Sequence, residues 1–275
     1  VHVLDKVSMR INLYFPLFLF ICIPAFGQMD PLVTKDSLDQ HNWVENQYNS
    51  MSLQEKVGQL FMVSIASNQD KASTDKIKSL VKDEGIGGVI FLSGTPVAQA
   101  KLTNDYQSGS KVPLLIGTDA EWGMAMRLDS TYAFPWNMTL GAIQDGSIVE
   151  KVGHQIGKHA KRLGVHINFA PDLDVNNNPR NPIIGNRSFG EDPKNVAQKG
   201  IAFLKGMEAA GVLSCGKHFP GHGDTETDSH KALPIIDSYK EELDSIELFP
   251  FKEAMENGLS SVMVAHLDVP ALESR

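Results

Sequence analysis

Cysteine is nearly missing from this chain. Two of its 275 residues are Cys, Cys22 and Cys215, which is too few for a disulfide framework. Cys215 lies in an apolar run and reads as a core residue rather than a reactive thiol. Positive charge is also in short supply. Lys and Arg number 25 against 33 Asp and Glu, giving a net charge of −8. That balance argues against nucleic acid and anionic membranes as partners and is silent about neutral sugars. There is no repeat with a period of 20–50 residues, no low-complexity run and no long linker. Length and ordinary apolar content therefore point to a single globular domain.

Long apolar runs are absent too, with one exception near the start. Met9 and Arg10 precede Ile11 to Pro24, and Ala25-Phe26-Gly27 follows. A positive charge, a short Pro-broken apolar stretch and small residues make a signal-peptide layout, and the stretch is too short for a spanning helix. Residues 1–27 are thus expected to be upstream sequence and an export signal. The protein would then be periplasmic or secreted, with no stable membrane insertion once the signal is removed. Lipoprotein anchoring through Cys22 fits less well, because bulky Ile21 precedes it. Residues 28–50 read as a polar lead-in, and 51–275 as the domain proper.

The domain opens on Ser52 and Glu55, spaced as a capping box. Apolar runs then recur at Leu60–Ala66, Ile86–Leu92, Val112–Gly117, Val165–Ala170, Val212–His218 and Ser261–Leu267. Each reads as a strand buried on both faces. Helical spacing appears between them over 147–163 and 194–208, and a further helix is expected from Pro250. Strand–helix alternation implies a parallel sheet. Six such units predict an incomplete (β/α)8 barrel of the α/β class, which needs eight.

The polar chemistry concentrates at strand ends. Lys217 to His230 holds three of the nine His, three carboxylates and a Lys, broken by Pro220, Gly221 and Gly223. In Asp228-Ser229-His230 a carboxylate two residues from an imidazole can orient it, making His230 a candidate proton shuttle. A solvated, capped loop is the plain alternative. A zinc site through His218 and His222 is disfavoured, because Pro220 and Gly221 break the helix that a four-residue spacing needs. Earlier, Asp119-Ala120-Glu121-Trp122-Gly123 follows the third strand, with Arg127 further on. A carboxylate can accept hydrogen bonds from vicinal hydroxyls and Trp can stack on a pyranose. A helix cap at Asp119 is the competing role, and a surface salt bridge to Glu191 or Asp192 competes at Arg187.

Lys217-His218-Phe219-Pro220-Gly221-His222-Gly223 with the Asp-Ser-His beyond it resembles the signature of glycoside hydrolase family 3, in its β-N-acetylhexosaminidase branch. Asp119 to Gly123, Phe169-Ala170-Pro171-Asp172-Leu173-Asp174-Val175 and Arg187-Ser188-Phe189-Gly190 are similar to further segments of that family. Trp122 departs from it, standing where Gly is usual. The resemblance runs from about Ser52 to the end. It implies that Asp228 and His230 form the acid/base dyad and that Asp119, Arg127, Arg187, Lys217 and His218 hold the sugar, with Asp174 a structural anchor. His266 could line the pocket or be structural. The implied activity is retaining exo-hydrolysis of terminal β-linked N-acetylhexosamines, with no cofactor and no metal. The implied nucleophile, an Asp after a seventh strand, would fall beyond Arg275, so the sequence reads as part of a longer enzyme and inactive alone. A phosphorylase with the same dyad, a β-glucosidase-type hydrolase and a non-catalytic sugar-binding domain are the rivals. Oligomeric state is not legible.

Overall fold

A computed structural model of the chain describes residues 36–227 and 232–273. The expected export signal therefore lies outside the described residues, as do Asp228 and His230. No described helix is long and apolar enough to cross a membrane.

The chain builds an open arc of parallel strands with helices outside it. Its elements in order are α1 (Ser37–Ser50), α2 (Leu53–Gly58), β1 (Met62–Ala66), α3 (Lys71–Ser79) running into a π turn, β2 (Gly88–Ser93), α4 (Pro96–Gly109) and β3 (Leu115–Thr118). There follow α5 (Asn137–Gly141), α6 (Gly146–Arg162), β4 (Ile167–Asn168), α7 (Pro193–Ala209), β5 (Leu213–Ser214), β6 (Gly216–Phe219), α8 (Lys240–Ser245), α9 (Leu248–Glu256) and β7 (Val262–Val264). The strands β1 to β5 pair in sequence order, all parallel. β6 continues β5 past Cys215, whose N–H donates to Ala170 O at 2.9 Å, and β6 pairs with β7. Six strand positions result, in the order the alternation of apolar runs predicts. Among the described residues β1 pairs only with β2 and β7 only with β6, so the arc is open rather than a closed barrel.

Local chemistry explains the element starts. Ser52 and Glu55 form the reciprocal capping box at α2. Asp70, Thr95, Asp145 and Asp192 each cap the helix they precede. The expected helices over 147–163 and 194–208 are α6 and α7, and their apolar faces meet through Val149, Ile156, Phe203 and Met207, all fully buried. Glycines let them approach closely. A Cβ on Gly153 would overlap Phe203 O, and one on Gly206 would overlap Glu150 O. The largest core cluster joins this helix pair to the strands through Val89, Phe91 and Ile116.

Three details differ from the sequence-based expectation. The strands are shorter than the apolar runs; at β1, for example, Leu60 and Phe61 precede the strand and are exposed. The helix expected from Pro250 starts at Leu248, with Pro250 in its first turn, where a missing N–H costs nothing. The lead-in contains α1, capped by Asp36, although none of its residues is buried. Capping, not an apolar stripe, marks that helix, and hydrophobic patterning could not reveal it.

Candidate active site

The C-terminal ends of the strands carry a polar network over a cavity of about 520 Å³. Asp119 follows β3, and its neighbour Ala120 donates its N–H to Asn168 Oδ1 at 2.8 Å. The loop then turns through Gly123, at φ 94°, into a single 3-10 turn, which brings Arg127 back. Arg127 Nη2 lies 2.6 Å from Asp119 Oδ2. Asp119 caps no helix; it is ion-paired on both oxygens, the second to Lys217 Nζ at 2.9 Å.

Lys217 projects from β6 and is only 2% exposed. Its Nζ also lies 2.7 Å from Glu121 Oε1. Glu121, fully buried, accepts Arg187 Nε at 3.0 Å and Nη2 at 2.8 Å. Arg187 therefore pairs with Glu121 in the interior, not with Glu191 or Asp192 at the surface. Its Nη2 stands 3.3 Å from His218 Nε2 and 3.6 Å from Asp172 Oδ2. His218 is held from behind by Asp174, whose carboxylate accepts Nδ1 at 2.6 Å, the His218 N–H at 3.2 Å and the His222 N–H at 2.7 Å.

The charge states follow from these contacts. Burial works against ionising Glu121, but Lys217 and Arg187 outweigh it and hold its carboxyl at about 2. Burial also opposes Asp119, and Lys217 with Arg127 pulls it below the usual range. Asp174 is lowered in the same way, burial being overcome by His218 and the backbone donors. Asp172 goes the other way. Burial first, then the neighbouring Asp174, pushes its carboxyl well above the ordinary value, and Arg187 does not compensate. Burial depresses Lys217, yet Glu121 and Asp119 raise it overall.

Asp119, Arg127, Arg187, Lys217 and His218 all line the one cavity, together with Trp122, His222 and an exposed His266. A second cavity of about 500 Å³, at the strands' other ends beside Trp43 and Phe61, is lined by no carboxylate, imidazole or amine among the described residues. Ligand atoms of Asp172, Asp174 and His218 lie within 4.8 Å of one another, close enough to hold a metal by distance alone. Asp174 and His218 already use theirs on each other, and His222 Nδ1 is taken by Thr225 Oγ1 at 2.5 Å. Two of the three candidate ligands are thus committed to each other, and Asp172 Oδ2 faces the Arg187 guanidinium at 3.6 Å, an arrangement that suits positioning better than ligation.

Four groups that the sequence did not single out complete the network. Glu121 is its buried counter-charge. Asn178 and Asn181 tie the loop after β4 to the loop after β6, and Asn177 ties it to the start of α9: Asn181 Nδ2 donates to His222 O at 2.7 Å and to Gly223 O at 2.9 Å, and Asn178 Nδ2 to Asp224 O at 3.0 Å. Asn177 Nδ2 donates to Glu247 Oε1 at 3.0 Å. The run Asn176-Asn177-Asn178 between two motifs is their visible signal.

Residues 52–275 match the model of the glycosyl hydrolase family 3 N-terminal domain. The chain belongs to glycosyl hydrolase family 3. Its relatives in the family include Beta-hexosaminidase A of Pseudoalteromonas piscicida, 41% identical over 213 residues, covering 72% of this chain and 36% of that protein. A family 3 beta-N-acetylglucosaminidase structure from Paenibacillus sp. str. FPU-7 superposes with a TM-score of 0.76 at 41% identity, covering 82% of this chain and 44% of that one. A beta-glucoside phosphorylase structure superposes at 0.80 with 28% identity, covering 86% and 42%. The chain thus spans less than half the length of each of these relatives. The likeness to these solved structures matches the parallel α/β architecture described above.

Proposed function

We propose that the whole protein is a retaining exo-β-N-acetylhexosaminidase. The observation that carries this reading is the buried Asp119–Lys217–Glu121–Arg187–His218 network, which presents fixed charged donors and acceptors to one cavity of sugar size. Hydroxyls of a neutral sugar would exchange hydrogen bonds with Asp119, Arg127, Arg187, Lys217 and His218. The 41% identity to a beta-hexosaminidase and to a beta-N-acetylglucosaminidase supports the sugar class.

In this reading His230, oriented by Asp228, gives its proton to the glycosidic oxygen as the C1–O bond breaks. A carboxylate nucleophile from beyond Arg275 bonds to C1. His230 then takes a proton from water, whose oxygen displaces that carboxylate and frees the sugar. Export and turnover of cell-wall N-acetylglucosaminides belong to the same proposal, supported by the apolar stretch and small residues before Gln28.

The test is His230→Ala in the full-length protein. Hydrolysis of an alkyl β-N-acetylglucosaminide should fall far more than that of an activated aryl glycoside, because only the poor leaving group needs the proton. Equal losses would refute the acid role. The likeness to a phosphorylase favours one second reading, in which phosphate replaces water as acceptor. Product analysis with and without inorganic phosphate separates the two.

A further inference from the structure

Trp122 and Trp136 are not part of the charged network, yet they stand at its mouth. Their ring centroids are 4.0 Å apart and their planes are tilted by 41°. Trp122 lines the cavity, whereas Trp136 is 43% exposed and does not. Exposure rises outward through the site. Glu121 and Lys217 at the floor are almost completely buried, Trp122 is half-buried, and Trp136 opens to solvent. So Trp136 backs Trp122 from the solvent side.

Both rings are held in place. Trp122 O accepts the Phe134 N–H at 2.9 Å. Gly123 turns at φ 94°, and a Cβ there would come within 2.8 Å of the Phe134 ring. Trp136 precedes α5, whose first residue Asn137 donates its Nδ2 to Arg187 O at 2.7 Å. The aromatic pair is thereby tied to the residue that carries the site's bidentate ion pair. A preordered aromatic face loses little entropy on binding, and aromatic rings suit the apolar face of a pyranose.

We infer that Trp122, braced by Trp136, is the platform for a second sugar ring, the one attached to the leaving oxygen, and so sets a preference for sugar over small alkyl leaving groups. This rests on the function proposed above. The charged floor takes one ring through its hydroxyls, and the wall at the mouth offers the next ring a face with no charge.

The test uses the full-length protein and two substrates: methyl β-N-acetylglucosaminide, and the β-linked disaccharide of N-acetylglucosamine. The readout is the ratio of kcat/KM for the disaccharide to that for the methyl glycoside. Trp122→Ala should lower this ratio about three- to tenfold, the loss expected from one aromatic contact. Trp122→Phe should keep most of it, and Trp136→Ala should lower it by a smaller factor. Trp122→Leu, which keeps apolar bulk without an aromatic face, guards against a misfolded alanine variant and should also lower the ratio. An unchanged ratio in a folded Trp122→Ala or Trp122→Leu protein would overturn the inference alone. No turnover of either glycoside by the unmodified protein would instead overturn the proposed function, and this inference with it.

Discussion

Asp174 and His218 form the tightest imidazole–carboxylate contact in the described site, with Oδ2 2.6 Å from Nδ1. The partners assign the tautomer. Nδ1 carries the proton toward the carboxylate, and Nε2 is left as an acceptor for Arg187 Nη2 at 3.3 Å. One carboxylate also takes the backbone N–H groups of His218 and His222. Asp174 therefore shapes the loop and aims the ring together.

Asp174→Asn tests that double role. An amide has one acceptor oxygen where three donors converge, and its NH2 would face another donor. Stability should fall by about 1–3 kcal/mol. Urea unfolding of the variant beside the unmodified protein checks this, and identical midpoints would contradict it.

Glu121→Gln should cost more. It removes the counter-charge shared by Lys217 and Arg187, two cations deep in the site. Breaking one side of a buried pair costs about 3–5 kcal/mol. Glu150→Gln, which changes only an exposed side chain of α6, is the control and should stay within about 0.5 kcal/mol. Chemical denaturation of both variants decides it.

The same residue sets a pH window. Its carboxyl is held at about 2 in the fold against an ordinary 4.5. A depressed carboxyl stabilises the fold fully above its unfolded value, and that contribution drains away as pH falls through 4.5 toward 2. The stability gap between the unmodified protein and Glu121→Gln should therefore narrow by on the order of 2 kcal/mol between pH 6 and pH 3. Urea midpoints of both proteins at those two pH values test the sign; a gap that widens in acid would refute it.

Two glycines should respond oppositely to alanine. Gly206→Ala puts a Cβ into Glu150 O and forces α6 from α7, at a cost of about 1–3 kcal/mol or more. Gly146 opens α6 with nothing within 4 Å of a Cβ and no left-handed φ. Gly146→Ala should raise stability by about 0.4–1 kcal/mol by restricting the unfolded chain. Thermal melts of the two variants are the check.

Much of the fold is legible in the order of residues alone. Parallel strands with both faces covered read as apolar runs, as at Val89, Phe91 and Ile116; the sixth run also marks a strand position, β7, but Val262 and Val264 there are exposed and not buried as the run predicts. The capping box at Ser52 and Glu55 is written in residue type and spacing. α1 is not legible in this way, since its residues are all solvated and leave no periodic trace.

At the site, the residue types at the strand ends of Asp119, Arg127, Arg187, Lys217 and His218 announce polar chemistry, because side chains that cost so much to bury are placed only where they find partners. The identity of those partners is another matter. Asp119 and Lys217 are separated by 98 positions and Glu121 and Arg187 by 66, so only the curling of the sheet brings them together. The alternating strands, the caps and the turn-forming loop after β6 depend on neighbours along the chain, and the amino-acid order was enough to set them. It took the folded molecule to turn Arg187 inward to Glu121, to push the Asp172 carboxyl up while pulling the neighbouring Asp174 down, and to lean Trp122 on Trp136. Those outcomes come from burial and from charges meeting across the fold, quantities that no local stretch of residues contains.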